Sequence, residues 1–257
     1  MIRRIIKSIF GKFGYTVINT NLFESLNKRS VPYDMETDFK EIYVKAKNFT
    51  MASLNQNYTM YKATEYVINN NIPGDIIECG VWKGGNMMIS AYTLIKLRNV
   101  EKILYLFDTY EGMSKPSRKD IRSYDNKPAS EISKIHEKND FEKWDYAPLE
   151  EVKRNLYSTK YPQEKIRFIK GKVEDTIPKT IPEKISILRL DTDFYESTYH
   201  ELVHLYPKLS INGVLIIDDY GYWKGQKEAV DQYFKEHNIY HFLIRLGDQG
   251  RMAIKTG

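Results

Sequence analysis

The chain has 257 residues, with 39 Lys and Arg against 34 Asp and Glu, 42% hydrophobic and 28% charged residues, and one cysteine, Cys79. That length and balance fit one large globular α/β domain with an extension or a lid. The net charge of +5 is scattered rather than gathered in blocks, which excludes a nucleic-acid stripe; the lone cysteine excludes an internal disulfide framework and suits a reducing, cytoplasmic setting.

In chain order, residues 1–15 (MIRRIIKSIFGKFGY) place Ile2, Ile5, Ile6, Ile9, Phe10 and Phe13 at helical spacing, with Arg3, Arg4, Lys7 and Lys12 opposite. Basic residues interrupt the apolar run and no small-residue cleavage site follows, so this is not a secretory signal. No run reaches the ~20 apolar residues of a spanning helix. Three readings stay open: a helix docked on the body or on a second subunit, a peripheral membrane contact, or a partner helix. With the polar stretch that follows, residues 1–37 form an N-terminal helix and linker. The remaining residues, 38–257, form the main domain, and a homo-oligomer is expected.

Helical patterns run from Asp38 to Asn70, broken at Phe49-Thr-Met-Ala-Ser53 and closed by Pro73-Gly74. The run Asp75-Ile-Ile-Glu-Cys-Gly80 reads as a first strand. The turn Val81-Trp-Lys-Gly-Gly85 and a helix over Asn86 to Leu97 follow it. Strand, glycine turn and helix N-terminus together form a cradle for a phosphate or nucleoside, which makes Glu78, Gly80, Val81, Trp82, Gly84 and Gly85 cofactor candidates. A tight strand-to-helix turn explains the same glycines about as well. Lys102 to Asp108 is the second strand, and an acid at its tip suits ribose hydroxyls. Residues 113–148 are polar and long for a connection, which points to a lid. A helix over Leu149 to Leu156, a strand over Ile166 to Lys170 and a loop over Gly171 to Ile177 come next. Val173, Glu174 and Asp175 in that loop are placed to face an adenine.

Two apolar runs then end in carboxylates: Ile187 to Leu190 before Asp191 and Asp193, and Val214 to Ile217 before Asp218 and Asp219. Joined by a crossover helix that Asn212-Gly213 ends, they form a βαβ unit with both tips at one sheet edge. A single Asp at such a junction is often only a helix cap. Four of them repel one another unless a hard cation, most simply Mg2+, sits among them. An amphipathic helix over Gly225 to Glu236 and two strands flanking Gly247-Asp-Gln-Gly250 close the chain.

The segments Asp75–Gly85, Phe107-Asp-Thr-Tyr-Glu-Gly112, Leu188-Arg-Leu-Asp-Thr-Asp-Phe-Tyr-Glu-Ser-Thr198 and Ile217-Asp-Asp-Tyr220 resemble the macrocin O-methyltransferase family. The resemblance implies a class I methyltransferase fold, Rossmann-like and α/β, with a mostly parallel sheet, an antiparallel C-terminal strand and helices on both faces. It implies methyl transfer from S-adenosylmethionine to a sugar hydroxyl of a small molecule or glycan precursor, with Mg2+. It places Glu78, Gly80 and Gly84 at the methionine part of the cofactor, Asp108 at its ribose, and Val173, Glu174 and Asp175 near adenine. Asp191, Asp218 and Asp219 are implied as metal ligands, and Asp193 as the general base. The family often has Gly at Thr192 and Arg at Lys83; neither difference removes a carboxylate. Rival readings are a catechol-type methyltransferase, a nicotinamide oxidoreductase and a binding module. His136 in the lid is a rival base. His200 and His204, at i and i+4, carry metal-ligand spacing without a third partner.

Overall fold

A computed structural model of the chain describes residues 31–138 and 145–257, the side chains of residues 135–138 aside. The helix expected over residues 1–15, with its membrane or subunit contact, lies outside the described residues. The chain divides into two compact units, Met1–Lys40 and Glu41–Gly257. In the first, the described residues form a turn, closed by the Met35 N–H donating to the Pro32 carbonyl (3.2 Å), and the opening of helix α1 (Thr37–Ala46).

The second unit starts its main body at α2 (Leu54–Asn69). The Ser53 hydroxyl accepts from the Gln56 N–H (3.3 Å) while the Gln56 side chain accepts from the Ser53 N–H (2.8 Å). This reciprocal cap satisfies two otherwise orphaned donors and fixes where the helix begins. There follow β1 (Asp75–Cys79), α3 (Gly85–Lys96), β2 (Leu104–Asp108), α4 (Ala129–Lys138), α5 (Leu149–Ser158), β3 (Ile166–Lys170), the single turn α6 (Val173–Thr176), β4 (Ile185–Leu190), α7 (Tyr195–Leu205), β5 (Leu209–Ile217), α8 (Lys224–Glu236), β6 (Ile244–Leu246) and β7 (Gly250–Ile254).

The seven strands lie in the order β3-β2-β1-β4-β5-β7-β6. β1 through β5 pair in parallel, and β7 runs antiparallel to both β5 and β6. This is the class I methyltransferase arrangement expected from the sequence. β4 is buried at all six positions, as a strand with parallel neighbours on both sides and helices on both faces must be. Alternation sends Ile77, Cys79, Leu188, Leu190, Leu215 and Ile217 to one face, where they join Leu202, Leu205, Val230, Tyr233 and Phe234 of α7 and α8 in one core. The other face carries Ile76, Glu78, Ile187, Arg189 and Ile216 in register across three strands, and α2 packs on β4 and β5.

Two local expectations are corrected. Asn212-Gly213 does not end the crossover helix: α7 stops at Leu205, a 3-10 turn over Tyr206–Lys208 follows, and β5 begins at Leu209. The register slips inside β5, so that Ile185 faces Leu209 while Ile187 faces Val214. Asn212 makes that bend at φ 65, a conformation Asn tolerates better than most residues. The loop expected over Gly171 to Ile177 contains the helical turn α6.

Candidate active site

The glycine turn after β1 is shaped by close approach. Gly80 has φ 79, and a Cβ there would sit 2.0 Å from the Asp191 carbonyl oxygen, so only glycine lets β1 and β4 end side by side. Gly84, at φ 85, faces the side chain of Leu156 on α5, 2.5 Å from where a Cβ would be. A Cβ on Gly85 would meet the Phe49 carbonyl oxygen at 2.5 Å. Asp108, at the tip of β2, is turned onto this turn. One of its oxygens accepts the N–H groups of Val81 (2.8 Å) and Trp82 (3.2 Å), and the other accepts the Tyr110 N–H (2.7 Å). Burial raises the Asp108 carboxyl above the usual range, and the three amides oppose that rise. Its clear role is to lock the backbone of Val81 and Trp82, the latter held at φ 45.

A cavity of about 600 Å³ opens above these strand tips. Glu78, Gly80, Val81, Trp82, Gly85, Asp108, Val173, Glu174, Asp191, Asp193, Asp218 and Asp219 all line it; Gly84 and Asp175 are not on its wall. Gly84 is thus explained by packing on α5, and the expected adenine-side loop presents Val173 and Glu174 rather than Asp175.

The four aspartates of the two tips do not behave alike. One carboxylate oxygen from each of Asp191, Asp193 and Asp219 lies within 4.8 Å of the others. Asp218 instead turns toward Arg189, the penultimate residue of β4, whose guanidinium is 1% exposed. Nη2 lies 2.6 Å from Asp218 Oδ1, while Nη1 meets Glu78 Oε1 at 2.5 Å and Asp191 Oδ2 at 2.6 Å. The Asp218 contact is a charge pair only, since neither atom finds a well-aligned hydrogen-bond partner. One guanidinium therefore serves three carboxylates from three strand ends, and Glu78 Oε2 is buried without a hydrogen-bond partner among the described residues. Burial pushes Glu78 up to about 7 despite Arg189. It also drives Asp191 up against Arg189, Asp193 up with help from the charge of Asp191, and Asp219 up with help from the charge of Asp193. Carboxyls raised by burial and crowding in this way are short of positive charge.

Asp193 stands at φ 67 between Thr192 and Phe194, with the Phe194 N–H donating to the Thr192 carbonyl at 2.7 Å. The Trp223 indole N–H donates to Asp193 Oδ2 at 3.1 Å. Thr192 donates its hydroxyl to the buried Glu201 on α7 at 2.9 Å, which braces the turn between Asp191 and Asp193. The segment expected as a lid is stitched down at its start. Asp120, fully buried, accepts the N–H groups of Tyr195 (2.8 Å) and Ser117 (2.6 Å), and Arg122 forms an antiparallel bridge with Trp223. Trp223, Asp120 and Glu201 lie outside the sequence motifs, and Arg189, inside the Leu188–Thr198 segment, is signalled only as an Arg in an otherwise apolar strand. The rings of His200 and His204 lie 4.4 Å apart, with His200 Nε2 against the Ile177 carbonyl. Among the described residues neither joins a metal-capable group. His136 falls on α4, where its side chain lies outside the described residues.

Comparison with known proteins follows this geometry. Residues 12–252 match the macrocin-O-methyltransferase (TylF) family. The chain is 32% identical over 205 residues to demethyldecarbamoylnovobiocin O-methyltransferase of Streptomyces niveus, covering 80% of this chain and 75% of that one. It is 30% identical over 202 residues to mycinamicin III 3''-O-methyltransferase of Micromonospora griseorubida, covering 78% and 76%. Among solved structures it resembles the O-methyltransferase NovP, with a TM-score of 0.70 and 30% identity over 81% of this chain and 83% of that one. The calicheamicin methyltransferase CalS11, at 16% identity and a TM-score of 0.56, shares the fold.

Proposed function

The chain belongs to the macrocin O-methyltransferase family and is an O-methyltransferase, and from that premise we propose that it methylates a sugar hydroxyl of a glycoside or glycan precursor. S-adenosylmethionine is the proposed cosubstrate and Mg2+ the proposed metal. One observation carries the reading: three aspartates from the tips of β4 and β5 converge beside the glycine turn in a single cavity. The family match supports the donor, and the relatives named for novobiocin and mycinamicin support a sugar acceptor.

The residues fit both groups. Glu78, Asp191 and Asp218 share one arginine, and Asp193 and Asp219 converge on Asp191 beside it, an oxygen-rich, negative site of the kind a hard divalent cation takes. Asp191, Asp218 and Asp219 would hold it, Asp218 through the oxygen that Arg189 leaves. Asp193 would stand beside it as the base. When bound there, Mg2+ supplies Lewis-acid stabilisation of the charge that grows on the acceptor oxygen. The backbone approach at Gly80, the partnerless oxygen of Glu78 and the wall at Val173 and Glu174 suit the donor's amino-acid and adenosine ends. S-adenosylmethionine supplies the methyl group, its carbon–sulfur bond breaking as the new carbon–oxygen bond forms.

This chain's own residues do the rest. A sugar hydroxyl is a weak nucleophile until its proton leaves, and Asp193 accepts that proton. The strand tips hold donor and acceptor sites in one cavity, and the fixed orientation supplies much of the acceleration. The test uses the purified chain with S-adenosylmethionine, glycosides carrying a vicinal diol, and a catechol, each in Mg2+ and in EDTA. A methyl ether on the glycoside that is lost in EDTA is expected. Methylation of the catechol alone would overturn the acceptor, and undiminished turnover in chelator would overturn the metal.

A further inference from the structure

A base in a crowded acidic site must be aimed, and Asp193 is aimed from outside its own turn. At φ 67 it occupies a three-residue turn closed by the Phe194 N–H, a conformation that persists only where the surroundings hold it. The residue that touches it from across the site is Trp223, 2% exposed, at the start of α8. Its indole N–H reaches Asp193 Oδ2 at 3.1 Å. Its ring stands edge-on to Phe194, with centroids 5.6 Å apart, and Ala129 of α4 completes the same buried cluster. Its backbone N–H donates to the Asp219 carbonyl at 3.0 Å, and its backbone bridges to Arg122. One residue therefore contacts both acidic loops and the segment stitched over them.

We propose that Trp223 is the positioning residue for Asp193, and that it links the seating of the segment around Arg122 to the direction of the base. The proposal rests on the reading of Asp193 as base. An indole N–H can only donate, so it fixes which carboxylate oxygen it holds and leaves the other to take the acceptor proton. Asp193 also meets the Asp219 carboxyl, and without the indole donor its carboxylate can turn about a soft, two-fold torsion further toward that acid and Asp191. If Trp223 were only a space-filling ring, phenylalanine would preserve its edge-on contact with Phe194 and change little.

The test compares Trp223→Phe, Trp223→Met and Asp193→Asn in the full chain. Neither Trp223 variant has a strong side-chain donor, so one remains should the other fold poorly. Turnover is read with the glycoside that the wild-type chain methylates best. Expected is a fall in kcat of about 10–100-fold with acceptor KM within about twofold. Thermal midpoint and the affinities for Mg2+ and S-adenosylhomocysteine should stay near wild type. Independently of any acceptor, the indole signal that vanishes from the ¹H–¹⁵N spectrum in Trp223→Phe should move in Asp193→Asn. An unchanged kcat in both Trp223 variants, with Asp193→Asn inactive, overturns the inference alone. So does a kcat that falls only in step with stability or ligand affinity. Full activity in Asp193→Asn overturns the base assignment and this inference with it.

Discussion

Replacing Arg189 with methionine removes the cation that, among the described residues, Glu78, Asp191 and Asp218 share. The side chain is 1% exposed and its contacts are 2.5–2.6 Å long, so the pairing is made away from bulk solvent. Taking one partner out of a buried ion pair costs about 3–5 kcal/mol, mostly because the remaining charges stay buried and unpaired. At roughly 2–4 °C per kcal/mol for a chain near this size, the thermal midpoint in EDTA should fall by ~6–20 °C. Mg2+ should then matter more to the variant than to the wild type, since the ion neutralises the carboxylates that Arg189 no longer serves. An ion at 100 times its dissociation constant adds ~2.7 kcal/mol to the folded state, enough to recover much of the loss. Arg189→Lys keeps the charge without the planar fork and should fall between the two. Circular-dichroism melts in EDTA and in millimolar Mg2+ read both effects. A loss below ~1 kcal/mol in EDTA, or a magnesium response no larger than wild type, would refute the assignment of Arg189 as the shared counter-ion.

Asp191→Asn should weaken Mg2+ binding at least about tenfold by calorimetry, whereas Asp193→Asn should bind Mg2+ and S-adenosylhomocysteine normally and lose turnover. The metal-free protein should become less stable as pH rises from about 4.5 toward 7. Burial lifts Glu78 from 4.5 to about 7, so in that window the folded state holds a proton that the unfolded chain has released. The stabilisation is complete below the unfolded value and is lost through the folded one. Urea melts in EDTA across this range should show the decline, and Glu78→Gln should make it shallower while the share of Asp191, Asp193 and Asp219 remains; a wild-type curve that rises instead would contradict the burial of an ionisable Glu78. Gly80→Ala should fold poorly or lose donor binding, because the new methyl would meet the Asp191 carbonyl 2.0 Å away at a φ of 79; wild-type stability and S-adenosylhomocysteine affinity would show that the two strand ends have room to part.

Much of the sheet was legible because its physics is local. The runs ending in Asp108, Asp191 and Asp218 are apolar, short and abruptly terminated, and each is a parallel strand whose carboxyl end faces the cavity. The helix ends read from Gly85 and Glu236 fall within a residue of those observed. What failed locally failed for a tertiary reason. Asn212-Gly213 carries a stop signal, but the signal marks a bend inside β5 that lets Leu209 pair with Ile185. The division of labour among the four aspartates was not legible at all, because it depends on Arg189, which alternation places on the same face as Glu78. Strand register across β1 and β4 decides that meeting, and register is not written in either segment alone.

The same dependence explains how the segment after Met113, read from its length and polarity as a lid, is tied to the site by residues that no motif marks. Its sequence is polar and irregular, yet Asp120 caps the N-terminus of α7 directly after Asp193 and Phe194, and Gly225 is glycine because a Cβ would lie 2.0 Å from an Asp120 oxygen. A buried carboxylate that accepts backbone N–H groups is costly to leave unpartnered. Its presence there means that the loop bearing Asp193 and the loop bearing Asp219 are both held by a segment that lies far earlier in the chain. The acidic tips set what chemistry the edge can support. The segment over Asp120 to Ala129 sets how the tips are held, together with the cluster of Phe194, Trp223 and Ala129 against which Ile132 packs.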